Sequence, residues 1–249
     1  MIPFLVSVLL AGLLAGCGGG GDGGASTAAL VTVGQSVETP AVASSKGQKA
    51  ANLSKPGDDP SLCTVEIYGD SIMASNGTAV TPAMMLQLIR PNLVIVDHSF
   101  PGNRLTDLAP VFPGLLRSGH FVIIENGVID AWQGKNINTV INDYYALIQR
   151  VRDEGRIPVL TGFSHQALGG ELDYFDLRFR DFYDTIVQAV AINTNTTFAD
   201  WGRVPFYGAF DLIDFVHPNK NYSDRLIGRL AMTLDLFSAN CTSILVPPG

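Results

Sequence analysis

Between residues 63 and 237, short apolar runs alternate with longer segments of helical period, and this alternation constrains the fold more than any other feature. "CTVEIYG" (63–69), "NLVIVDHS" (92–99), "HFVIIENG" (120–127), "RIPVLTGFS" (156–164) and "TTFADWG" (196–202) read as strands. The second, third and fourth are continuously apolar, the pattern of strands covered on both faces. Helical patterns fill the gaps at 81–89, 104–116, 136–155 and 175–192, and a last one at 222–237 closes the domain. Phe175, Phe179, Phe182, Ile186 and Val190 recur at helical spacing, which predicts a core-facing stripe. Strand–helix alternation of this kind predicts a parallel sheet with helices on both faces, a three-layer α/β/α domain. In such sheets ligands bind outside the carboxyl ends of the strands, so the strand exits are the places to look for chemistry.

The segments before this domain have a different character. Residues 1–16, "MIPFLVSVLLAGLLAG", carry no charge and are followed at once by Cys17. The run is short of the roughly 20 apolar residues that span a bilayer and fits a secretory signal. Leu14-Ala15-Gly16-Cys17 resembles the bacterial lipobox, which implies a lipoprotein signal peptide over 1–16 and lipidation of Cys17. Residues 17–58 are rich in Gly, Ser and Ala and contain no aromatic residue, the composition of a lipid-anchored flexible linker. Residues 59–249 then form the folded domain. The expected location is the bacterial cell envelope, lipid-anchored and facing the periplasm or exterior.

The net charge of −7, with no basic cluster, argues against nucleic acid as a partner. It equally disfavours adhesion to an anionic surface, leaving the lipid anchor as the expected membrane contact. With Cys17 assigned to lipid, Cys63 and Cys241 remain, and two thiols in an exported chain predict a disulfide.

The first strand exits at Gly69-Asp70-Ser71, the second at Phe100-Pro101-Gly102-Asn103 and the third at Asn126-Gly127-Val128-Ile129-Asp130. Asp214-Phe215-Val216-His217-Pro218 precedes the last helix. Serine hydrolysis needs a hydroxyl, a base to take its proton and an acid to hold the base in one tautomer. Ser71, His217 and Asp214 can supply these in turn. Ser71 sits where a strand turns into a helix, so backbone N–H groups point toward a developing oxyanion there. Gly102 permits a close approach of the second loop and a further N–H. Taken alone, Ser71 reads as well as a helix N-cap.

These residues resemble the SGNH, or GDSL-type, serine ester hydrolases across the whole domain. Gly69-Asp70-Ser71 matches that family's nucleophile block, Gly102 its second block, and Asp214-x-x-His217-Pro218 its fourth. The resemblance implies a flavodoxin-like α/β/α fold and ester hydrolysis by Ser71, His217 and Asp214, with the Ser71 and Gly102 N–H groups as oxyanion donors. It implies neither cofactor nor metal. The third block departs: the family's Gly-x-Asn-Asp is here Gly127-Val128-Ile129-Asp130, and an isoleucine donates no hydrogen bond. Asn126 or Asn103 is the candidate replacement.

Trp132, just past the third strand, is a candidate sugar-binding aromatic and equally a half-buried loop residue. His98, His120 and His165 show no metal-ligand spacing. The expected activity is removal of acetyl or other short acyl groups from a glycan or small ester. The other reading is a catalytically degenerate SGNH-fold protein that binds acylated glycan, with Ile129 as its mark.

Overall fold

The structure, a computed structural model, describes residues 60–237 and Cys241. The signal peptide and linker expected over 1–58 lie outside the described residues. Five strands form one parallel sheet: β1 (Thr64–Gly69), β2 (Val94–Asp97), β3 (Phe121–Glu125), β4 (Ile157–Thr161) and β5 (Thr197–Ala199). Their order is β2-β1-β3-β4-β5, the doubly wound arrangement in which the chain reverses direction across the sheet between β1 and β3.

Alternate side chains feed two separate cores, as the two-residue period of a strand requires. Val65, Ile67, Phe121, Ile123 and Val159 point to one face. There they meet α1 (Ser71–Ala74), α2 (Pro82–Ile89) and α7 (Lys220–Asp235), through Met73, Leu86, Leu226 and Leu230 among others. Tyr68, Val122, Ile124 and Leu160 point to the other face. They pack on α3 (Leu105–Val111), α4 (Val128–Trp132), α5 (Ile137–Asp153) and α6 (Tyr174–Thr194). This is the expected three-layer α/β/α architecture. Helix starts follow local chemistry: Thr81, Asn136, Asp173 and Asn219 each accept N–H groups of the first turn.

The sequence reading fails in two places. β2 is not covered on both faces: it is an edge strand, and Val94 and Val96 are exposed. An apolar run alone does not distinguish an edge from a centre. The helix α6 is also rotated from the expected phase. Phe175, Phe179 and Phe182 are 68%, 44% and 53% exposed, while Arg180, Tyr183, Val187, Val190 and Ala191 face the core. The cause is Arg180, whose guanidinium donates to the carbonyl oxygens of Phe163 and Ser164 at the β4 exit. A buried charged side chain with backbone partners thus occupies a position that hydropathy assigns to solvent.

Cys63 and Cys241 are joined in a disulfide, with Cα atoms 5.3 Å apart and a sequence separation of 178. The bond ties the start of β1 to the chain beyond α7, at the edge of the first core.

Candidate active site

The nucleophile turn forms because Asp70 stops β1 and caps α1. Its Oδ1 accepts the Ile72 N–H at 2.8 Å, leaving Ser71 as the first residue of a single helical turn. The helix-cap role therefore belongs to Asp70, and the Ser71 side chain is released for another partner. That partner is His217, whose Nε2 lies 2.9 Å from Ser71 Oγ across 146 residues of sequence.

The loop that delivers His217 is closed by an isolated bridge between Leu212 and Pro218 and by the Ile213 N–H donating to the His217 carbonyl oxygen at 2.8 Å. Inside it the Asp214 carboxylate accepts the backbone N–H groups of Val216 (3.3 Å) and His217 (2.9 Å). The same carboxylate holds His217 Nδ1 at 2.8 and 2.9 Å. Burial pushes the Asp214 carboxyl up, but the His217 N–H, its imidazole and the Val216 N–H outweigh that and hold it below the ordinary carboxylate range. Phe215, between them, has φ +66°, a left-handed backbone that costs a bulky residue energy. Its ring lies against the β4–α6 loop, where a Cβ on Gly169 would stand 2.5 Å from Phe215 Cδ1. The Ala167 N–H donates to the Phe215 carbonyl oxygen at 2.9 Å, which fixes the turn from outside.

Gly102 has φ +81° with nothing near a would-be Cβ, so the left-handed turn requires the glycine and crowding does not. Among the described residues, neither the Ser71 nor the Gly102 N–H has a protein acceptor. Asp130 holds this second loop in place by accepting the Leu105 N–H at 2.8 Å and the Thr106 hydroxyl at 2.6 Å.

At the third exit, Ile129 is half-buried in α4 and packs against the second core, so it faces a structural environment. Asn126 is buried, and its Nδ2 donates to the Asn103 carbonyl oxygen at 3.2 Å. Asn103 Nδ2 stands 3.5 Å from the Gly69 carbonyl oxygen, at the limit of a hydrogen bond. Of the two candidate donors, Asn126 is committed to holding a loop and Asn103 is only loosely held. Trp132 ends α4 and packs half-buried against the second core, its indole N–H buried with no partner among the described residues. Beside the Asp214 loop is an open depression of about 390 Å³, lined by Asn76, Gly77, Thr78, Ile213 and Asn219–Asn221.

Two groups escaped the sequence reading. Glu125, at the end of β3, is buried directly under the nucleophile turn. Tyr144 of α5 is fully buried, and its hydroxyl donates to the Asn126 carbonyl oxygen. An acid closing an otherwise apolar strand was a signal for the first. For the second there was none.

No family model and no curated protein matches the sequence. Solved structures do match. TesA superposes with a TM-score of 0.59 at 22% identity, over 70% of this chain and 98% of TesA. A protein from Slackia heliotrinireducens described as a "putative SGNH hydrolase" gives 0.54 at 18%, over 69% and 98%. The chain has the SGNH hydrolase fold. The acetyl xylan esterase AlAXEase is a further match, at 0.57 and 17% identity over 69% and 99%. Ser71 follows β1 and Asn126 follows β3, the two strands between which the order reverses, the position at which doubly wound sheets bind ligands.

Proposed function

We propose that this protein is a serine ester hydrolase that removes acetyl or other short acyl groups from a glycan or small ester. The observation that carries the reading is the line from Ser71 Oγ to His217 Nε2 (2.9 Å) and from His217 Nδ1 to Asp214 (2.8 Å) at the carboxyl ends of the strands. His217 takes the Ser71 proton as Oγ adds to the ester carbonyl carbon, and Asp214 stabilises the imidazolium that forms. The resulting oxyanion lies against the Ser71 and Gly102 N–H groups. Collapse expels the alcohol, which receives the proton from His217 and leaves an acyl-Ser71. Water, deprotonated by the same imidazole, then releases the acid and restores the hydroxyl.

The similarity to an acetyl xylan esterase supports a short acyl group on a carbohydrate. The depression beside the Asp214 loop offers Asn76, Thr78 and Asn221 to the hydroxyl-rich alcohol part. Export and anchoring through Cys17 complete the proposal, and the Cys63–Cys241 bond supports an oxidising compartment. The reading is tested with purified protein on p-nitrophenyl acetate and acetylated xylan, beside Ser71→Ala. Turnover lost in the variant is expected. Binding of acetylated xylan without turnover in the wild type would instead return the degenerate binding protein.

A further inference from the structure

Beneath the nucleophile turn lie two acids that the proposed mechanism does not use. Asp70 is wholly buried and Glu125 is 3% exposed. The Asp70 N–H donates to Glu125 Oε2 at 3.1 Å, while Asp70 Oδ1 accepts the Ile72 N–H. Gly69 makes room for this arrangement, since a Cβ there would stand 2.9 Å from both Glu125 Oε2 and Ser99 Oγ. Asp70 Oδ2 and Ser99 Oγ are buried with no partner among the described residues. The charged groups that face the pair are Asp97 at the end of β2 and Asp130 in α4, both acids, and the Tyr144 hydroxyl approaches from α5.

We propose that Glu125 is a positioning residue for Ser71, pinning Asp70 at its N–H so that the next peptide, which carries the Ser71 N–H, keeps its aim at the oxyanion. The inference rests on the serine-hydrolase reading. Burial first raises the titration of both carboxyls, and repulsion adds to it, by Asp70 on Glu125 and by Asp130 on Asp70, so the pair keeps a proton where exposed carboxylates have lost theirs. Loss of that last proton places two like charges side by side, with no cation among the described residues to offset them. Asp70 is then driven off its position, and the Ser71 N–H with it. Because that N–H acts on charge that develops only in the transition state, the loss falls on kcat and spares KM.

The test compares wild type, Glu125→Gln and Glu125→Leu, recording kcat and KM for p-nitrophenyl acetate against pH and urea stability against pH. The glutamine keeps an acceptor for the Asp70 N–H and removes one titration; the leucine removes both. At neutral pH, Glu125→Leu is expected to lose about 10–100-fold in kcat with little change in KM, as for a misdirected oxyanion donor. Glu125→Gln is expected to recover most of that loss and to lack the alkaline decline of the wild type. A raised native pKa means that the native state holds protons which the unfolded chain has released. The stability of the wild type relative to Glu125→Gln therefore falls as pH rises above about 4, the ordinary carboxyl value. An active wild type whose leucine variant matches it in kcat contradicts the positioning role alone, and so does a glutamine variant that keeps the alkaline decline of the wild type. An inactive wild type contradicts the hydrolase reading, and the role with it.

Discussion

Asn126 gives its side-chain amide to the main-chain oxygen of Asn103, at 3.2 Å. The third strand exit thereby holds the second loop by a side chain that, on the sequence reading, was a candidate to replace the donor missing at Ile129. Asn126→Ala should destabilise the fold by about 1–3 kcal/mol, the cost of leaving a buried partner unsatisfied. Asn103→Ala should leave the urea midpoint nearly unchanged and lower kcat by about tenfold, at the small end of what a single oxyanion donor contributes. Equal kcat for Asn103→Ala and wild type would show that backbone N–H groups alone hold the oxyanion.

Ile129→Asn tests the departure in the third block directly. The isoleucine packs on the second core, so an amide there should cost about 1–3 kcal/mol of stability. Any gain in kcat should stay well below the 100–1,000-fold that a well-aimed donor supplies. A gain of that full size would mean that α4 turns the new amide into the crevice without resistance.

Gly169→Ala reaches the site from outside it. The new methyl collides with the Phe215 ring, and the glycine itself sits at φ +136°. Phe215 lies between Asp214 and His217, so displacement of its ring should lower kcat by about 10–100-fold through the His217 position, a scale typical of misplaced reacting groups. Steady-state kinetics that match the wild type would show that the loop absorbs the methyl by moving the other way.

Reducing the Cys63–Cys241 bond, or replacing both cysteines by serine, should lower stability without altering kcat. The bond lies in the first core, away from Ser71, and closes a loop spanning 178 positions. Chain entropy for a loop of that length corresponds to at most about 5 kcal/mol. A urea midpoint unchanged on reduction would contradict the contribution.

Much of this was legible because it rests on period and order. The alternation of strands and helices, together with the chain order of Gly-Asp-Ser and Asp-x-x-His, placed Ser71, Asp214 and His217 at one edge before any coordinates. What escaped depends on partners distant in sequence. The burial of Arg180, which turns α6 about its axis, follows from carbonyl groups of Phe163 and Ser164 that no helical pattern reveals. The exposure of β2 follows from its place at the sheet edge. The pairing of Glu125 with Asp70 follows from the register of β1 on β3, which sets Gly69 beside Glu125.

The central claim is that His217, held by Asp214, activates Ser71 for attack on an acyl carbon. Ser71→Ala and His217→Ala should each abolish turnover, and the double variant should be no worse than either, because such groups act as a unit. The most direct measurement is covalent capture: the protein is treated with an alkyl phosphonate ester bearing a good leaving group, and the adduct is located by peptide mass mapping. The account predicts one phosphonyl group, on Ser71, whose formation slows at least about a thousandfold in His217→Ala, as loss of a triad base does. An unmodified Ser71, or an adduct that forms as fast without His217, would contradict it.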